Sequence, residues 1–360
     1  MIKLPGAVAA ALVCIVSPAA DAQAQEEMET VLVSGEQPGP GLWKVSRDGH
    51  VMWVLGSIYE VPETITWQTR EMEARIAESQ EVLYPGWPDV RLDVSAFQFV
   101  TLVPSAYKAA KNPGGAMLKD VLSPEAYATW LRLKQKYLGD DDDIEKYRPM
   151  VAEDKLNTAM SKEAWKAWKG IRFIPVDSVV HKAAKKHNVR IHTLPAVKHR
   201  IKVEKPRAIL KAARNMDLAE GECVGRNLAR MEKRAAAGLQ AIDVAATNAW
   251  ATGDLETLRA KAVPHPDLQS EDCTTAALDA ATERPAEISR GLDLFKQQEE
   301  LSKLAGQEAE RNWVEAAEAA LAKNVSTFAV LPIHLVTNEW VYIGNLKRKG
   351  YVVESPDEQP

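Results

Sequence analysis

The sequence predicts an α/β fold: a mixed central sheet built from two halves, with strands near both ends of the chain and a large helical middle. Three observations carry this. β-favouring apolar runs, "LWKV" and "HVMWVLGS", appear early; a matching run, "STFAVLPIH", returns near the end with "GYVVE" behind it; and Lys205 to Lys323 is alanine-rich with helical punctuation. At 360 residues, 46% hydrophobic and 26% charged, the chain can bury a full core, which excludes a disordered protein. A formal net charge of -5 favours solubility and is silent on fold.

In chain order, MIKLPGAVAAALVCIVSPAADAQAQ carries one lysine, an apolar run from Ala7 to Val16 and small residues around Ala20 to Ala24. That is the layout of a cleavable export signal, expected over residues 1–24. The run is shorter than the roughly 20 residues that span a bilayer. Cys14 follows Val13 rather than a small residue, which argues against lipid attachment. The expectation is an exported, periplasmic protein with no transmembrane segment after signal removal. Residues 25–41, including "GEQPGPG", read as a flexible linker, 42–354 as a single domain and 355–360 as a disordered tail.

Asp48-Gly49 between two apolar runs is a hairpin signal. Thr64 to Ser79 reads as a helix on the loose stripe of Trp67, Met72, Ile76 and Ala77. "EVLYP", residues 81–85, reads as a buried strand stopped by Pro85. Ser123-Pro124 starts a helix to Tyr137, with serine as cap. Asp140 to Asp143 lacks the alternating ligands and glycine of a calcium loop and reads as a solvated helix entry. Helices are expected over Val151 to Trp165 and Ser178 to Lys186, then a strand over Val189 to Leu194. Gly253 ends one helix and Asp254 caps the next. Glu287 to Lys323 is expected to form one broken helix or two consecutive ones, and Asn338 to Lys349 a last one.

After signal removal two cysteines remain, Cys223 and Cys273. In an oxidising compartment a disulfide is the economical reading, the alternative being two unrelated buried thiols. A bridge closing that loop is worth about 4 kcal/mol in the chain-entropy model.

"GLWKVSRDGHVMWVLGSIYEVPE" and "RNWVEAAEAALAKNVSTFAVLPIHLVTNEWVYIGNLKRKGYVVE", with "YRPMVAEDKL", "HKAAKKHNVRIHTL" and "AWATGDLETL" between them, resemble the TraB/GumN family, whose relatives include the Tiki metallopeptidases. The similarity runs over roughly residues 42–354. The resemblance implies a Tiki-like fold with a Gly-x-x-His after the first core strand, an acidic residue ending the strand between, and a second Gly-x-x-His near the C-terminus. Such groups supply nitrogen and carboxylate ligands, with glycine permitting a tight turn beside a metal. Here Gly56 remains but Tyr59 stands at the histidine, Pro85 at the acid and Leu331 at the second glycine, with only His334 kept. Arg311 and Asn312 match the family's Arg-Asn, where a structural hydrogen-bonding role is implied.

The resemblance therefore implies a vestigial crevice of Gly56, Tyr59, Pro85, His334, Arg311 and Asn312, with Tyr59 and Trp340 filling the vacated volume. A metal-dependent hydrolase or peptidase with relocated ligands is the alternative, drawing on His334, Glu60 and Glu339, with Glu63 and Asn338 nearby. A divalent metal is the cofactor only under that alternative. Glu60 directly follows Tyr59, and adjacent strand residues face opposite ways. Ser57 lacks the second glycine of a nucleophile elbow. His181, His187, His192 and His199 form no ligand set.

The basic run Lys182, Lys185, Lys186, Arg190, Lys198, Arg200, Lys202, Lys205 and Arg207 reads first as a solvated helix-and-loop face. In an exported chain its partners would be an envelope protein, an anionic glycan or a lipid headgroup, and not nucleic acid. Trp53, Trp130 and Trp313 fall at core-like positions.

Overall fold

The computed structural model describes residues 32–215, 219–262, 273 and 286–359. The expected signal at 1–24 lies outside these residues, as does part of the expected linker and of the helical middle.

The chain opens with β1 (Gly35–Gln37), β2 (Leu42–Arg47), β3 (His50–Ser57), β4 (Glu60–Pro62) and β5 (Ile65–Trp67). Next come α1 (Arg70–Glu78), β6 (Glu81–Tyr84), β7 (Pro88–Asp93), α2 (Ala96–Ala109), α3 (Leu118–Val121), α4 (Pro124–Tyr137) and α5 (Pro149–Lys166). They are followed by β8 (Phe173–Pro175), α6 (Val176–Lys186), β9 (Arg190–Thr193), β10 (Val197–Lys202), α7 (Pro206–Arg214), α8 (Gly221–Ala236), α9 (Val244–Thr252) and α10 (Leu255–Ala262). The C-terminal part holds α11 (Ala286–Lys323), β11 (Ser326–Pro332), α12 (Ile333–Val336), α13 (Ile343–Arg348) and β12 (Val352–Glu354).

The main sheet runs β12-β2-β3-β11-β6-β9. Asp48 and Gly49 both take positive φ, 52° and 84°, so β2 and β3 pair antiparallel through the tight turn Asp-Gly serves. From β3 onward the pairing is parallel: β11 lies between β3 and β6, and β9 follows β6. β11 is buried along its length up to Pro332, the continuous apolar run of a strand covered on both faces. The mixed sheet built from both ends of the chain is therefore as expected.

The helical start and stop signals also hold. Ser123 Oγ accepts from Ala126 N at 3.2 Å, capping α4. Gly253 closes α9 at φ 76°, and Asp254 Oδ1 accepts from Thr257 N at 3.0 Å to start α10. Trp53, Trp130 and Trp313 are buried. A second apolar cluster, apart from the one around the sheet, joins α3, α4, α5 and α8 and contains the Cys223–Cys273 disulfide, Cα to Cα 5.7 Å.

Several expectations need correction. The helix over 64–79 starts only at Arg70, because Ile65, Thr66 and Trp67 pair with β1 as a strand. The same pairing removes residues 35–37 from the expected linker, and Gly39 N donates to Ala251 O at 2.8 Å. The helix over 338–349 is cut down to α13, because Tyr342 sits at φ 40° and the chain folds back on itself there. A Cβ on Gly344 would lie 1.9 Å from Glu339 O, so only glycine permits that return. The expected tail is held: Pro356–Glu358 form a 3-10 turn, Arg259 pairs with Asp357 at 3.0 Å, and Gln359 Nε2 donates to Leu42 O at 2.7 Å. His199 lies in β10.

Candidate functional site

The two glycine positions and the acid position of the expected motifs stand together in space. In the parallel register Leu331 is opposite Gly56. Ala329 is opposite Leu83, so two residues further on Leu331 is level with Pro85, just past the end of β6. Gly56, Leu331 and Pro85 thus share one rung at the carboxyl ends of three adjacent parallel strands, where ligands of open α/β sheets bind. All three are buried.

That rung is filled. A Cβ on Gly56 would come 2.5 Å from Ile333 Cδ1 and 3.1 Å from Trp43 Cζ3, so the side chain that opens α12 occupies the space glycine leaves. Trp250 is fully buried and its Nε1 donates to Gly56 O at 2.7 Å, while its ring meets Trp67 edge-on at 5.2 Å. Filling by Tyr59 and Trp340 is overturned: Tyr59 is 85% and Trp340 78% exposed. Tyr59 follows the end of β3, and its backbone O accepts from Val176 N at 3.3 Å, which ties the turn to α6 and leaves the phenol in water. A cavity of about 340 Å³ opens between the β1 segment and α1, lined by Pro38, Leu42, Leu55, Trp67, Arg70 and Met72; no residue of the rung lines it.

His334 lies on α12, exposed along one edge. Protein covering part of the ring lowers its pKa below the ordinary imidazole value. Glu60 lies on β4, paired with Pro175 of β8. Glu339 is exposed in the turn before α13, where its backbone O accepts from Arg348. Arg311 is exposed and Asn312 half-buried on α11. The hydrogen bond at that station comes from their neighbour Glu310, which accepts from Asn345 Nδ2. Pro85 and Leu331 have no donor atoms in their side chains. Gly56, Pro85 and Leu331 thus offer a divalent ion none of the about three side-chain ligands that a catalytic site needs, and among the described residues no group of three His, Cys, Asp or Glu is placed to hold one.

Two polar groupings escaped sequence reasoning. Tyr84, the last residue of β6, packs edge-on against His181 at 5.4 Å. Burial first, then Asp177, raises the Tyr84 pKa, although among the described residues the enclosed hydroxyl reaches no partner in hydrogen-bond geometry. At the opposite end of the strands, buried Glu81 receives Asn324 Nδ2 at 2.9 Å and Arg190 at 2.7 Å. Desolvation raises its pKa, but Arg190 and Asn324 outweigh it and the net shift is downward. The acid of β6 therefore opens the strand instead of ending it, and it pins β6 to β9 and β11 far from His334.

The basic run proves not to be one face. Lys186 pairs with Glu73 at 2.8 Å, Arg190 with Glu81, and Arg200 with Asp89 at 3.2 Å. Lys198, Lys202, Lys205 and Arg207 are exposed on β10 and its continuation into α7.

No helix among the described residues is long and apolar enough to cross a membrane. Comparison with curated proteins and with solved structures finds no match. The sequence profile of the TraB/PrgY/gumN family matches residues 41–355, from the residue before β2 to the residue after β12. With nearly every described element inside that match, the chain belongs to the TraB/PrgY/gumN family.

Proposed function

We propose that this protein is an exported, periplasmic, non-catalytic member of its family, a pseudoenzyme that serves as a binding or assembly factor of the cell envelope. The single observation that carries the reading is the filled rung: Pro85 stands where the family resemblance implies an acid, Gly56 and Leu331 where it implies the glycines, and Ile333 and Trp250 close on Gly56. Proline and leucine cannot accept a proton, hold an ion or attack a carbonyl. Among the described residues no carboxylate is placed beside His334 as the orienting acid that a general base needs. The export part is supported by the signal-like layout of residues 1–24 and by the Cys223–Cys273 disulfide, which persists in an oxidising compartment.

Metal analysis of the purified protein beside His334→Ala tests the reading. Substoichiometric metal in both, with equal stability, is the expected result. One equivalent of metal that disappears in the variant establishes the relocated-ligand hydrolase instead. Export is tested separately by the N-terminal mass of protein recovered from the periplasm, expected to begin near residue 25.

A further inference from the structure

Beside the main sheet, β7 and β10 form a two-stranded parallel ribbon. It packs on α11, and α7 packs between α11 and α2. The sequence of α2 is AFQFVTLVPSAYKA, with Lys108 its one charge. Phe97 is 80% exposed, Phe99 66%, Val100 67%, Val103 52% and Tyr107 51%. Single exposed apolar residues need no account, but five on one helix do. Phe99, Val103 and Tyr107 recur every four residues and share one face.

The neighbouring α7 has the reverse character. Its Ile209 faces α11, where a Cβ on Gly291 would come 3.1 Å from it, while Arg207, Lys211 and Arg214 follow one another at helical spacing and are exposed. Lys198, Lys202 and Lys205 extend the positive stripe along β10 and the turn into α7. The exposed acids in the same segments are Glu204 and Asp93. Asp89 is neutralised by Arg91 and Arg200.

We propose that α2 and α7 together form a docking face for an anionic lipid surface. The aromatic and branched side chains of α2 enter the headgroup boundary, and the cations of β10 and α7 lie over the lipid phosphates. Charge complementarity selects this occupant. A second copy related by a two-fold axis would bring the basic stripe against itself, and like charges opposed across an interface cost several kcal/mol. Phe, Trp and Tyr at exposed positions suit the headgroup depth, and Trp87 before β7 is also exposed. The proposal deepens the envelope reading by naming a partner, and it rests on that reading only for which membrane is met.

The experiment is co-sedimentation of the purified full chain with vesicles of equal parts phosphatidylglycerol and phosphatidylcholine, beside vesicles of phosphatidylcholine alone. Binding is expected to the anionic vesicles, to weaken as salt rises, and to fall by about tenfold or more in Arg207→Glu/Lys211→Glu/Arg214→Glu. Phe97→Ser/Phe99→Ser is expected to lose binding as well. Circular dichroism melts confirm that each variant folds, and should the serine pair fail, the charge variant alone decides. Equal binding to neutral vesicles overturns the proposal, and so does binding that both variants retain, which would place it in the N-terminal apolar run. A dimer seen by light scattering and broken by Phe97→Ser/Phe99→Ser, without vesicle binding, assigns the face to a second copy. Bound metal would sink the non-catalytic reading and leave this result untouched; absent vesicle binding sinks this proposal alone.

Discussion

Around the main sheet, residues 42–57 and 326–354 close on each other across nearly the whole chain through backbone pairing and apolar side chains. The helical cluster of α3, α4, α5 and α8 joins segments closer in the chain, buries paired charges as it does so, and carries the disulfide. There Lys134 Nζ lies 3.0 Å from Glu145 Oε1, and Trp130 Nε1 donates to the same oxygen at 2.9 Å. Arg148 is 3.7 Å from Glu220, with all four charged side chains under 9% exposed. The difference teaches that a strand ladder satisfies its own backbone polar groups, leaving Glu81 as the buried charge paired at its edge, whereas the helical cluster buries two charge pairs among its helix ends and crossing loops.

The largest way to sharpen this contrast is Cys223→Ser/Cys273→Ser. Loss of the bridge is expected to cost about 4 kcal/mol in urea unfolding, in the chain-entropy account. Amide exchange should speed up first in α4 and α8, with β3 and β11 still protected; equal loosening of both regions would show one cooperative core.

Next is Lys134→Met. Desolvation pulls the Lys134 pKa down, but hydrogen bonds from Glu145 and Asp142 outweigh it and the net shift is upward, so the ammonium is committed to its partners. Removing it leaves Glu145 buried with only the indole, at a cost of about 3 kcal/mol. Lys134→Met/Glu145→Leu should recover much of that loss, and a double variant as unstable as the single would assign the cost to packing.

On the sheet side, Gly56→Val forces Ile333 and Trp43 to move and is expected to cost about 2 kcal/mol. Should it fold unchanged, the rung is looser than its contacts imply.

Smaller still is the pH response of α5. Burial raises Glu153 from 4.5 to about 7, with Asp154 and Glu220 adding to it and a hydrogen bond from Asn227 opposing. An acid whose folded pKa is raised binds its proton more tightly in the native state, so stability falls as pH rises from about 4.5 through about 7. Glu153→Gln is expected to remove that slope and gain about 1–2 kcal/mol at pH 8, read from denaturation midpoints at pH 5 and pH 8. A slope unchanged by the substitution would place the titrating group elsewhere.

The smallest effects belong to the rung's rim. Tyr59→Ala and His334→Ala are expected to change stability by less than about 0.5 kcal/mol, since both side chains meet water. A larger loss for His334→Ala would mean that the rim holds more than its geometry displays.

Some of this was legible because it is local. The Asp48-Gly49 turn, the Ser123 cap and the Gly253-Asp254 break each rest on preferences of a few adjacent residues, and each forms as read. The trimmed helices at Arg70 and Ile343 fail for the complementary reason: β1 recruits Ile65–Trp67, and the fold-back at Gly344 interrupts a segment that is helical by periodicity. α2 gives no stripe to read, being apolar on nearly every side, and β10 alternates like a strand but within a basic run that reads as a solvated face. At the candidate site, Pro85 and Leu331 were visible as departures from a pattern that Gly56 keeps, but Ile333 and Trp250 were not. Nothing near Trp250 in the chain indicates that its indole ends on a carbonyl 194 residues away.

The sequence by itself determined which residues could not do chemistry, because proline and leucine lack donor atoms in any fold, and it determined the family and the strands at both ends of the chain. Only the tertiary structure decided that three of those positions share one rung, that Ile333 and Trp250 close it while Tyr59 and Trp340 face water, and that an apolar helix lies beside a basic one. Composition fixes what a side chain is able to donate or accept, while its neighbours depend on packing between segments hundreds of residues apart, which no local pattern records.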